Sequence, residues 1–590
     1  MVVLVAAAIF LVGILSPPSL MDDMDSVQAQ IARNMLRSGD WVTARLDGVA
    51  YLEKAPLKYW MIAVCYKLFG VHDWAARLPI ALSAILLCWL VVRMGTWAFS
   101  VRVGFYAGMA LATCVGLALF TRVLLTDLIL TLAITLAMWA LLRTLDEREE
   151  HARRWAWTLG ASLAAGVLLK GLVGLLFPLG AGFFYLLLTR QLFAGRSWRR
   201  LHPASSVLIF LLIAAPWHVL ATLRNPPYLD FTMHAEAGKY RGFFWFYFMN
   251  EHVLRFLNRR YPRDYNTVPR LYFWLFHLLW LFPWSVYFPA LARLGYRTQD
   301  RAGRARLLAL CWIGFVLVFF SFSTTQEYYS MPVYPALALL LGCGMAARGR
   351  WIAMGTRAVA AIASIAALVC GALLIRVWNL PTPGDISVAL NQNPNLYTLS
   401  LGHMLDLTLS SLAYLRAPLG WAALAFLVGA VGAWRFSGKR AVLSLALTMV
   451  LFFQAARLAL VVFDPYMSSR PLAEALRRAP PGRLILGDQY YTFSSIPFYA
   501  DCDALLLNGR VNNLEYGSYA PHAPRVFLDD ADLGRLWNGP EAYYLAIEDR
   551  MLPKIEALVG SGNLHLVRWS GGKSLFSNRE PAVVAQRGRL

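Results

Sequence analysis

Charged side chains are scarce in this chain of 590 residues. Asp, Glu, Lys and Arg together make up 15% of it, whereas hydrophobic residues make up 58%. Soluble globular proteins average about 25% charged residues and about 45–50% apolar ones. A chain this long and this poor in charge cannot cover a water-facing surface, so a soluble enzyme, a disordered protein and a small disulfide scaffold are excluded. The composition predicts a polytopic α-helical membrane protein.

Cysteine is too sparse and too scattered to organise a site. The chain has 7 Cys, most of them within apolar stretches, and it has no CxxC motif. The sequence therefore predicts neither a disulfide framework nor a thiolate metal site. The net charge of +21 is not concentrated on a soluble module with a nucleic-acid-binding motif. We attribute it to basic loops that orient a membrane protein, and we expect no nucleic acid partner.

About thirteen apolar segments are long enough to cross a ~30 Å hydrocarbon core. Arg-rich loops fall on every second connection, and the positive-inside rule then places the N-terminus in the cytoplasm and the C-terminus outside. The long loops 21–77 and 224–270 are therefore expected outside as well. The predicted spans lie near residues 2–20, 78–98, 103–121, 124–143, 155–169, 171–190, 205–223, 271–292, 306–323, 329–347, 353–376, 417–434 and 440–463.

The last part of the chain has a different pattern. Short β-type runs alternate with helical segments such as 552–558, which is typical of a small α/β domain. We therefore divide the chain into a transmembrane module, 1–463, and an outer α/β tail, 464–590. The predicted strands cover residues 483–486, 504–507, 525–528 and 543–547.

Three carboxylates, Asp22, Asp23 and Asp25, follow the first predicted span. Acids crowded at a membrane edge repel one another and resist desolvation. One acid would suffice as the N-cap of the amphipathic run 27–36. Three acids favour a further role, either as a cation site or as a general base with a raised pKa.

Further ionisable residues interrupt apolar segments or open predicted spans. Ordinary explanations exist for each of them, such as interfacial anchoring, a snorkelling side chain, or an i,i+4 salt bridge between Glu251 and Arg255. The alternative is a cationic clamp for a lipid phosphate at the headgroup level. These residues are Glu53, Lys54, Arg122, Asp127, Lys170, Glu251, His252, Arg255 and Glu327.

All these polar residues are expected at the outer membrane edge, although they come from five different loops. Such convergence predicts one site, open to water on one side and to lipid on the other. A transporter would instead place ionisable residues near the bilayer midplane, in broken helices. A transporter or flippase of a lipid-linked sugar remains the alternative, and a ligase or polymerase with a diphosphate-linked donor is a third option.

Several motifs of the chain resemble those of a known family. Because of these motifs, the chain resembles the GT-C glycosyltransferases that use polyprenyl-phosphate sugars, specifically the lipid A aminoarabinose transferases and, more distantly, the protein O-mannosyltransferases. The predicted spans and the outer α/β tail agree with this resemblance. The motifs are Asp22-Asp23-Met24-Asp25 and the helix up to Trp41, Glu53-Lys54, Asp127, Lys170-Gly171, Glu251-His252-x-x-Arg255-Phe256 and Pro283-Trp284.

The resemblance implies sugar transfer from an undecaprenyl-phosphate donor to a lipid A, glycan or protein acceptor, with inversion at the anomeric carbon. The protein would lie in the bacterial inner membrane, among membrane lipids, with its active site on the periplasmic face. Asp23 or Asp25 would deprotonate an acceptor hydroxyl or orient an acceptor phosphate. The family's Asp-Glu pair falls on Met24-Asp25, so Asp22 also stays a candidate.

The cations would act on the donor. In this interpretation the cations hold the leaving phosphate, on which negative charge grows as the glycosidic bond breaks. Asp127 orients one of these cations or the acceptor. No cofactor is certain from the resemblance. The acid cluster could bind a divalent cation, but no complete ligand set is readable. The residues expected to hold the phosphate are Lys54, Arg122, Lys170 and Arg255.

Overall fold

A computed structural model shows a helical membrane part followed by a mixed α/β tail. Residues 263–267 of the predicted loop 224–270 and residues 581–590 of the predicted tail lie outside the described part of the chain. The structure describes residues 1–262, 268–323, 325–347, 349–390 and 406–580.

Nine helices and one short hairpin make up the first third of the chain. The first helix ends at Gly13, ahead of Pro17 and Pro18, because proline cannot continue a helix. The helices are α1 (Val2–Gly13), α2 (Asp25–Ser38), α3 (Leu57–Phe69), α4 (Asp73–Ala98), α5 (Val101–Ala112), α6 (Val115–Phe120), α7 (Asp127–Leu145), α8 (Ala152–Lys170) and α9 (Val173–Leu188), and the hairpin strands are β1 (Arg45–Leu46) and β2 (Val49–Ala50).

The second part of the membrane region contains longer helices and several irregular ones. A π-helix covers Trp245–Leu254, and 3₁₀-helices cover Trp284–Arg293, Glu327–Val333 and Ile386–Ala389. The α-helices are α10 (Gly195–Leu201), α11 (Pro203–Arg224), α12 (Gly242–Phe244), α13 (Arg270–Trp280), α14 (Arg301–Ser321), α15 (Tyr334–Ala347), α16 (Arg350–Val377), α17 (Leu409–Tyr414), α18 (Arg416–Arg435) and α19 (Gly438–Met467).

Within the described residues, eight helical segments are long and apolar enough to cross a membrane. A ninth is formed if α13 and the 3₁₀-helix Trp284–Arg293, bent by 100° around Pro283, count as one span. The shorter apolar helices α1, α5 and α9 accompany them. The polytopic membrane fold is confirmed: where the sequence predicts about thirteen spans, the described residues form eight or nine clear spans beside these shorter apolar helices. Every predicted segment overlaps a helix, and the difference arises where prolines and turns shorten or split the apolar runs.

The tail begins after α19 and, up to residue 580, contains five short α-helices and six strands. The four predicted strands and the helix predicted at 552–558 are present, and the two C-terminal strands are additional. The elements are α20 (Arg470–Arg478), α21 (Ser495–Ala500), α22 (Asn512–Ser518), α23 (Asp530–Trp537), α24 (Leu552–Val559), β3 (Arg483–Gly487), β4 (Ala504–Leu507), β5 (Phe527–Leu528), β6 (Tyr543–Glu548), β7 (His565–Ser570) and β8 (Lys573–Ser577).

The six strands form one mixed sheet in the order β5-β4-β3-β6-β8-β7. The first four run parallel, with Leu484 paired to Ala504 and to Tyr544, whereas β8 is antiparallel to β6 and β7. Strands β3, β4 and β6 are apolar along nearly their whole length because helices cover both faces of a parallel sheet. The polar loops at the carboxyl ends of these strands remain available for contact with the membrane part.

Candidate active site

A cavity of about 430 Å³ lies where the loop before α3, the start of α7, the α8–α9 turn and the π-helix meet. Charged side chains form one part of the cavity lining, the polar wall, and apolar side chains form another part, the apolar wall. A lining of both kinds suits an amphiphile with a charged head and a hydrocarbon tail. The apolar wall includes Leu130, Leu169, Leu172, Val173, Leu176, Phe177, Val253, Phe256, Leu257, Phe319 and Phe320.

The polar wall contains seven of the residues that the sequence analysis predicted for the site. They come from segments far apart in the chain, and the fold brings them to one cavity. Asp25 lies buried outside this lining, and Asp22, Asp23, Arg122 and Glu327 also lie outside it. The seven residues are Glu53, Lys54, Asp127, Lys170, Glu251, His252 and Arg255.

The centre of the polar wall is an ion pair between Lys170, the last residue of α8, and Asp127, the first residue of α7. The Lys170 Nζ atom lies 2.5 Å from Asp127 Oδ1. It also lies 4.2 Å from the centroid of the Tyr329 ring, at the distance of a cation–π contact. In the described residues Asp127 is the one hydrogen-bond partner of this ammonium group, so its other N–H donors can serve a ligand in the cavity.

The turn after Lys170 requires glycine. Gly171 has a φ of +67°, and a Cβ there would come within 2.1 Å of His252 Nε2. This close approach lets the Leu172 amide donate a hydrogen bond to His252 Nε2 at 3.0 Å, while His252 Nδ1 donates to the Tyr247 carbonyl at 2.6 Å. Burial lowers the pKa of His252 to about 4. His252 is therefore neutral with both ring nitrogens engaged, and it orients the turn.

Glu53 forms the second charged centre. It is buried beside the ammonium group of Lys54, and its Oε1 atom lies 3.7 Å from the Arg255 guanidinium and 3.8 Å from that of Arg260. Burial opposes the ionisation of Glu53, but these three cations outweigh it and lower its pKa to about 2. Glu53 is consequently an anchor that keeps Lys54 and Arg255 at the cavity wall.

The π-helix adds a third acid, Glu251, to this network. Its carboxylate accepts hydrogen bonds from Arg255 at 3.0 Å and from Arg260 at 2.6 Å. The i,i+4 pair predicted for Glu251 and Arg255 is thus present, and it also faces the cavity. Arg260 is not among the residues predicted for the site, because Arg259-Arg260 looks like an ordinary solvated pair in the sequence.

Asp25 is fully buried at the start of α2. Its Oδ1 atom accepts a hydrogen bond from the Leu124 amide at 2.8 Å, and its Oδ2 atom lies 3.9 Å from Arg77. Burial raises the pKa of Asp25, whereas Arg77 and the hydrogen bonds from the Leu124 and Met21 amides act against the rise. It does not cap α2. Lys58 lies between Asp25 and the cavity residues, and its Nζ donates to Gln28 and to the Leu124 carbonyl.

Asp22 and Asp23 point to the tail. Asp22 accepts hydrogen bonds from the Ser495 amide at 2.7 Å and from Lys573 Nζ at 2.7 Å. The backbone of Asp23 donates to the Tyr491 carbonyl at 2.7 Å. Asp23 is exposed to solvent, yet the protein packed around it and the charge of Asp22 raise its pKa to about 6. The three acids therefore do not form one cluster, because Asp22 bonds to the tail whereas Asp25 is buried against Leu124 and Arg77.

Arg122 and Glu327 are also placed away from the polar wall. Arg122 donates to the Gly13 carbonyl at 3.2 Å and lines a separate small cavity beside Arg77 and Asp464. The two cavities share no lining residue. Glu327 is buried at the start of its 3₁₀-helix. The structure therefore does not bring Arg122 to the other three cations with which it was grouped.

The possible divalent cation stays a prediction. Within the described residues, no three His, Cys, Asp or Glu side chains come together as metal ligands do. The acids at the cavity each face a cation instead, Asp127 with Lys170 and Glu53 with Lys54. What this arrangement can do is bind an anionic group through Lys54, Lys170 and Arg255 beside an apolar surface.

The chain is similar to known glycosyltransferases. Residues 53–219 match the family model of the dolichyl-phosphate-mannose-protein mannosyltransferases. The undecaprenyl phosphate-α-4-amino-4-deoxy-L-arabinose arabinosyl transferase of Pseudomonas aeruginosa is 30% identical over 358 residues, 59% of each chain. The relative with this name in Aeromonas salmonicida is 29% identical over 323 residues, 53% of this chain and 54% of that one. The chain thus spans about three fifths of the length of the curated relatives it matches.

The similarity of the folds extends further. The crystal structure of ArnT from Cupriavidus metallidurans bound to undecaprenyl phosphate is 24% identical, with a TM-score of 0.77 over 98% of this chain and 97% of that chain. The chain has the ArnT fold. The apo structure of ArnT gives a TM-score of 0.75. The predicted relationship to the GT-C aminoarabinose transferases and mannosyltransferases is confirmed, and the ArnT fold includes the α/β tail.

Proposed function

We propose that this chain is a membrane glycosyltransferase that moves a sugar from an undecaprenyl-phosphate donor to an acceptor at the periplasmic face of the bacterial inner membrane. Among the acceptors that the resemblance implies, lipid A is the first to test, because the relatives are aminoarabinose transferases. A glycan or a protein is the alternative acceptor. The N-terminus would then be cytoplasmic and the tail periplasmic.

The observation that carries the proposal is the convergence of Lys54, Lys170 and Arg255 on one cavity that also has an apolar wall. A polyprenyl phosphate combines a phosphate with a long hydrocarbon chain, so its two parts match the two walls. Negative charge grows on the phosphate as the glycosidic bond breaks. Cations already held in place stabilise that charge without further reorganisation. ArnT, which has the same fold, was solved with undecaprenyl phosphate bound.

The carboxylates keep the cations in position. Asp127 fixes Lys170, while Glu53 and Glu251 fix Lys54 and Arg255. Each cation therefore faces the cavity at little further cost in side-chain entropy when the donor binds. Attack on the anomeric carbon from the side opposite the phosphate would invert its configuration. An acceptor that is already an anion needs no general base, which agrees with the buried, hydrogen-bonded state of Asp25.

The test uses purified full-length protein, undecaprenyl-phosphate-linked aminoarabinose and lipid A, with product detection by mass spectrometry. We expect lipid A to gain the mass of the sugar residue. Lys54→Gln should lower the rate at least about a hundredfold, because it removes one cation from the leaving phosphate. Lys67→Gln is the matched control, because Lys67 is an exposed lysine outside the cavity, and it should retain full activity.

Other donors and acceptors extend the same assay. Product formed from a hexose-linked donor, or on a glycan or protein acceptor, would support a transferase with a different substrate. Translocation of the lipid-linked sugar across a vesicle membrane without any product would contradict the proposal and favour the flippase.

A further inference from the structure

The tail reaches the cavity network through one short helix, α22. This helix follows the carboxyl end of β4, and Gly517 packs so closely on the hairpin that a Cβ would lie 2.0 Å from the Ala50 carbonyl oxygen. Tyr516 stacks on Phe246 of the π-helix with ring centroids 4.0 Å apart. Its hydroxyl group also accepts a hydrogen bond from the Arg241 amide at 2.8 Å. The helix is therefore held on two of the segments that shape the cavity.

Asn513 is the residue of α22 that contacts the charged network itself. Its Nδ2 group donates hydrogen bonds to the Glu53 carboxylate and, at 3.2 Å, to the Tyr51 hydroxyl oxygen. Its Oδ1 atom accepts a hydrogen bond from Arg260 Nη2 at 2.7 Å. The side-chain amide of Asn513 thus donates to an acid through its NH₂ group and accepts from a base through its oxygen.

The carboxylate of Glu53 faces groups from every neighbouring segment. Two of them are uncharged donors to the same Oε2 atom, Asn513 from the tail and Tyr51, at 3.3 Å, from the membrane part. Because Oε1 of Glu53 faces the cations while Oε2 faces Asn513, the amide fixes the plane of the carboxylate. The charged groups around Glu53 are Lys54, Arg255, Arg260, Glu251, Lys58 and Lys170.

We propose that Asn513 is a positioning residue of the active site, through which the tail orients Glu53 and Arg260 and thereby the phosphate-binding cations. The inference rests on the proposed function, because the cations are taken to bind the donor phosphate. It makes the tail part of the donor site. The acid of α22, Glu515, contacts Tyr261 and Tyr519 instead of Glu53.

Two substitutions at this position separate positioning from packing. Asn513→Asp has the same shape and keeps the acceptor for Arg260, but it places a second carboxylate against Glu53 and adds negative charge near the phosphate site. Asn513→Leu has similar volume and removes both hydrogen bonds without adding charge. If Asn513 only fills space, the isosteric aspartate variant should behave like the wild type. If Asn513 positions Glu53, the aspartate variant should be the worse of the two.

The measurement is the affinity of the full-length protein for undecaprenyl phosphate, followed by KM and kcat with the lipid-linked donor. We expect Asn513→Leu to weaken binding about fivefold and Asn513→Asp about twentyfold, because removing a hydrogen bond to a charged group and adding repulsion act together. The donor KM should rise by the same factors while kcat changes less. A folding defect would instead lower the active fraction, and so the apparent kcat, with KM and affinity unchanged.

Asn512→Asp is the matched control, because it adds the same charge one residue away, where Asn512 contacts Gln489. It should bind undecaprenyl phosphate within about twofold of the wild type. Wild-type affinity and KM in Asn513→Asp would overturn the inference alone. Failure of the wild type to bind undecaprenyl phosphate would overturn the proposed function as well, so the two failures are distinguishable.

Discussion

Two lysine–aspartate pairs in this protein have nearly the same geometry and different surroundings. Lys170 lies 2.5 Å from Asp127 at the cavity, and Lys573 lies 2.7 Å from Asp22 between the tail and the membrane part. Lys573 also donates to the Ser469 hydroxyl group and to the Thr492 carbonyl, so all three of its N–H donors are used. Lys170 has one such partner in the described residues and otherwise faces an aromatic ring and the cavity.

The difference shows what distinguishes a binding lysine from a structural one. An ammonium group whose donors are all satisfied by protein can only stabilise the contact in which it lies. An ammonium group that keeps donors available at a cavity can bind a further anion. Ion pairing itself does not separate the two cases, because both lysines are paired. The following experiments test that distinction.

Lys170→Gln should have the largest effect, and it should act on catalysis. We expect a loss of about 10²–10³ in kcat/KM, because the donor phosphate loses a cation that counts most in the transition state. The thermal midpoint should change little, since glutamine can still donate a hydrogen bond to Asp127. If the Lys170→Gln enzyme keeps its activity, the donor phosphate binds elsewhere and this prediction is wrong.

Lys573→Met should act on stability. It leaves the carboxylate of Asp22, whose side chain is only 7% exposed, without its cation, a change that costs about 3 kcal/mol. Thermal unfolding in detergent should show a lower midpoint, while KM for the donor stays at the wild-type value. The double variant Lys573→Met with Asp22→Leu should recover part of the loss. A changed KM would mean that this pair also serves the cavity.

Asp47 is a buried acid at the same interface that lacks a lysine. Its Oδ1 atom accepts a hydrogen bond from the Ala504 amide at 3.0 Å, and burial raises its pKa to about 7. The folded protein therefore binds more protons than the unfolded chain between about pH 4 and 7, and this acid makes stability fall as pH rises through that window.

Asp47→Asn should remove this pH dependence. The variant should be more stable than the wild type at both pH 5 and pH 8, and its advantage should grow by about 2–3 kcal/mol between these pH values, because asparagine stays neutral. Thermal midpoints at the two pH values provide the measurement. An equal difference at both pH values would indicate that Asp47 acts through packing and not through its charge.

Arg122→Gln should have the smallest effect. Arg122 is a cation at the membrane edge that has no acid within salt-bridge distance in the described residues and does not line the main cavity. We expect the donor KM and kcat to stay within about threefold of the wild type. A large loss would restore Arg122 to the phosphate-binding group predicted from the sequence.

Much of the site could be predicted because its residues break strong local patterns. Asp127 and Lys170 stand out where apolar runs begin or end, and a charge at the edge of a span is costly unless it has a partner. Asn513 and Arg260 could not be predicted in this way. An asparagine in a polar tail and an arginine in a basic loop violate no pattern, and only long-range contacts reveal their roles.

By itself, the sequence determined that the protein is a polytopic membrane protein with an α/β tail, and which polar residues gather at the ends of the helices. Hydrophobic runs and their interruptions are local properties of the sequence. They determine which segments cross the membrane, because leaving a charge in lipid costs much free energy. Only the tertiary structure decided that Asp25 faces Arg77 while Asp22 binds the tail, that Arg122 leaves the group, and that the tail touches Glu53. Those outcomes depend on which donors and acceptors remain satisfied after packing, and residues hundreds of positions apart supply them.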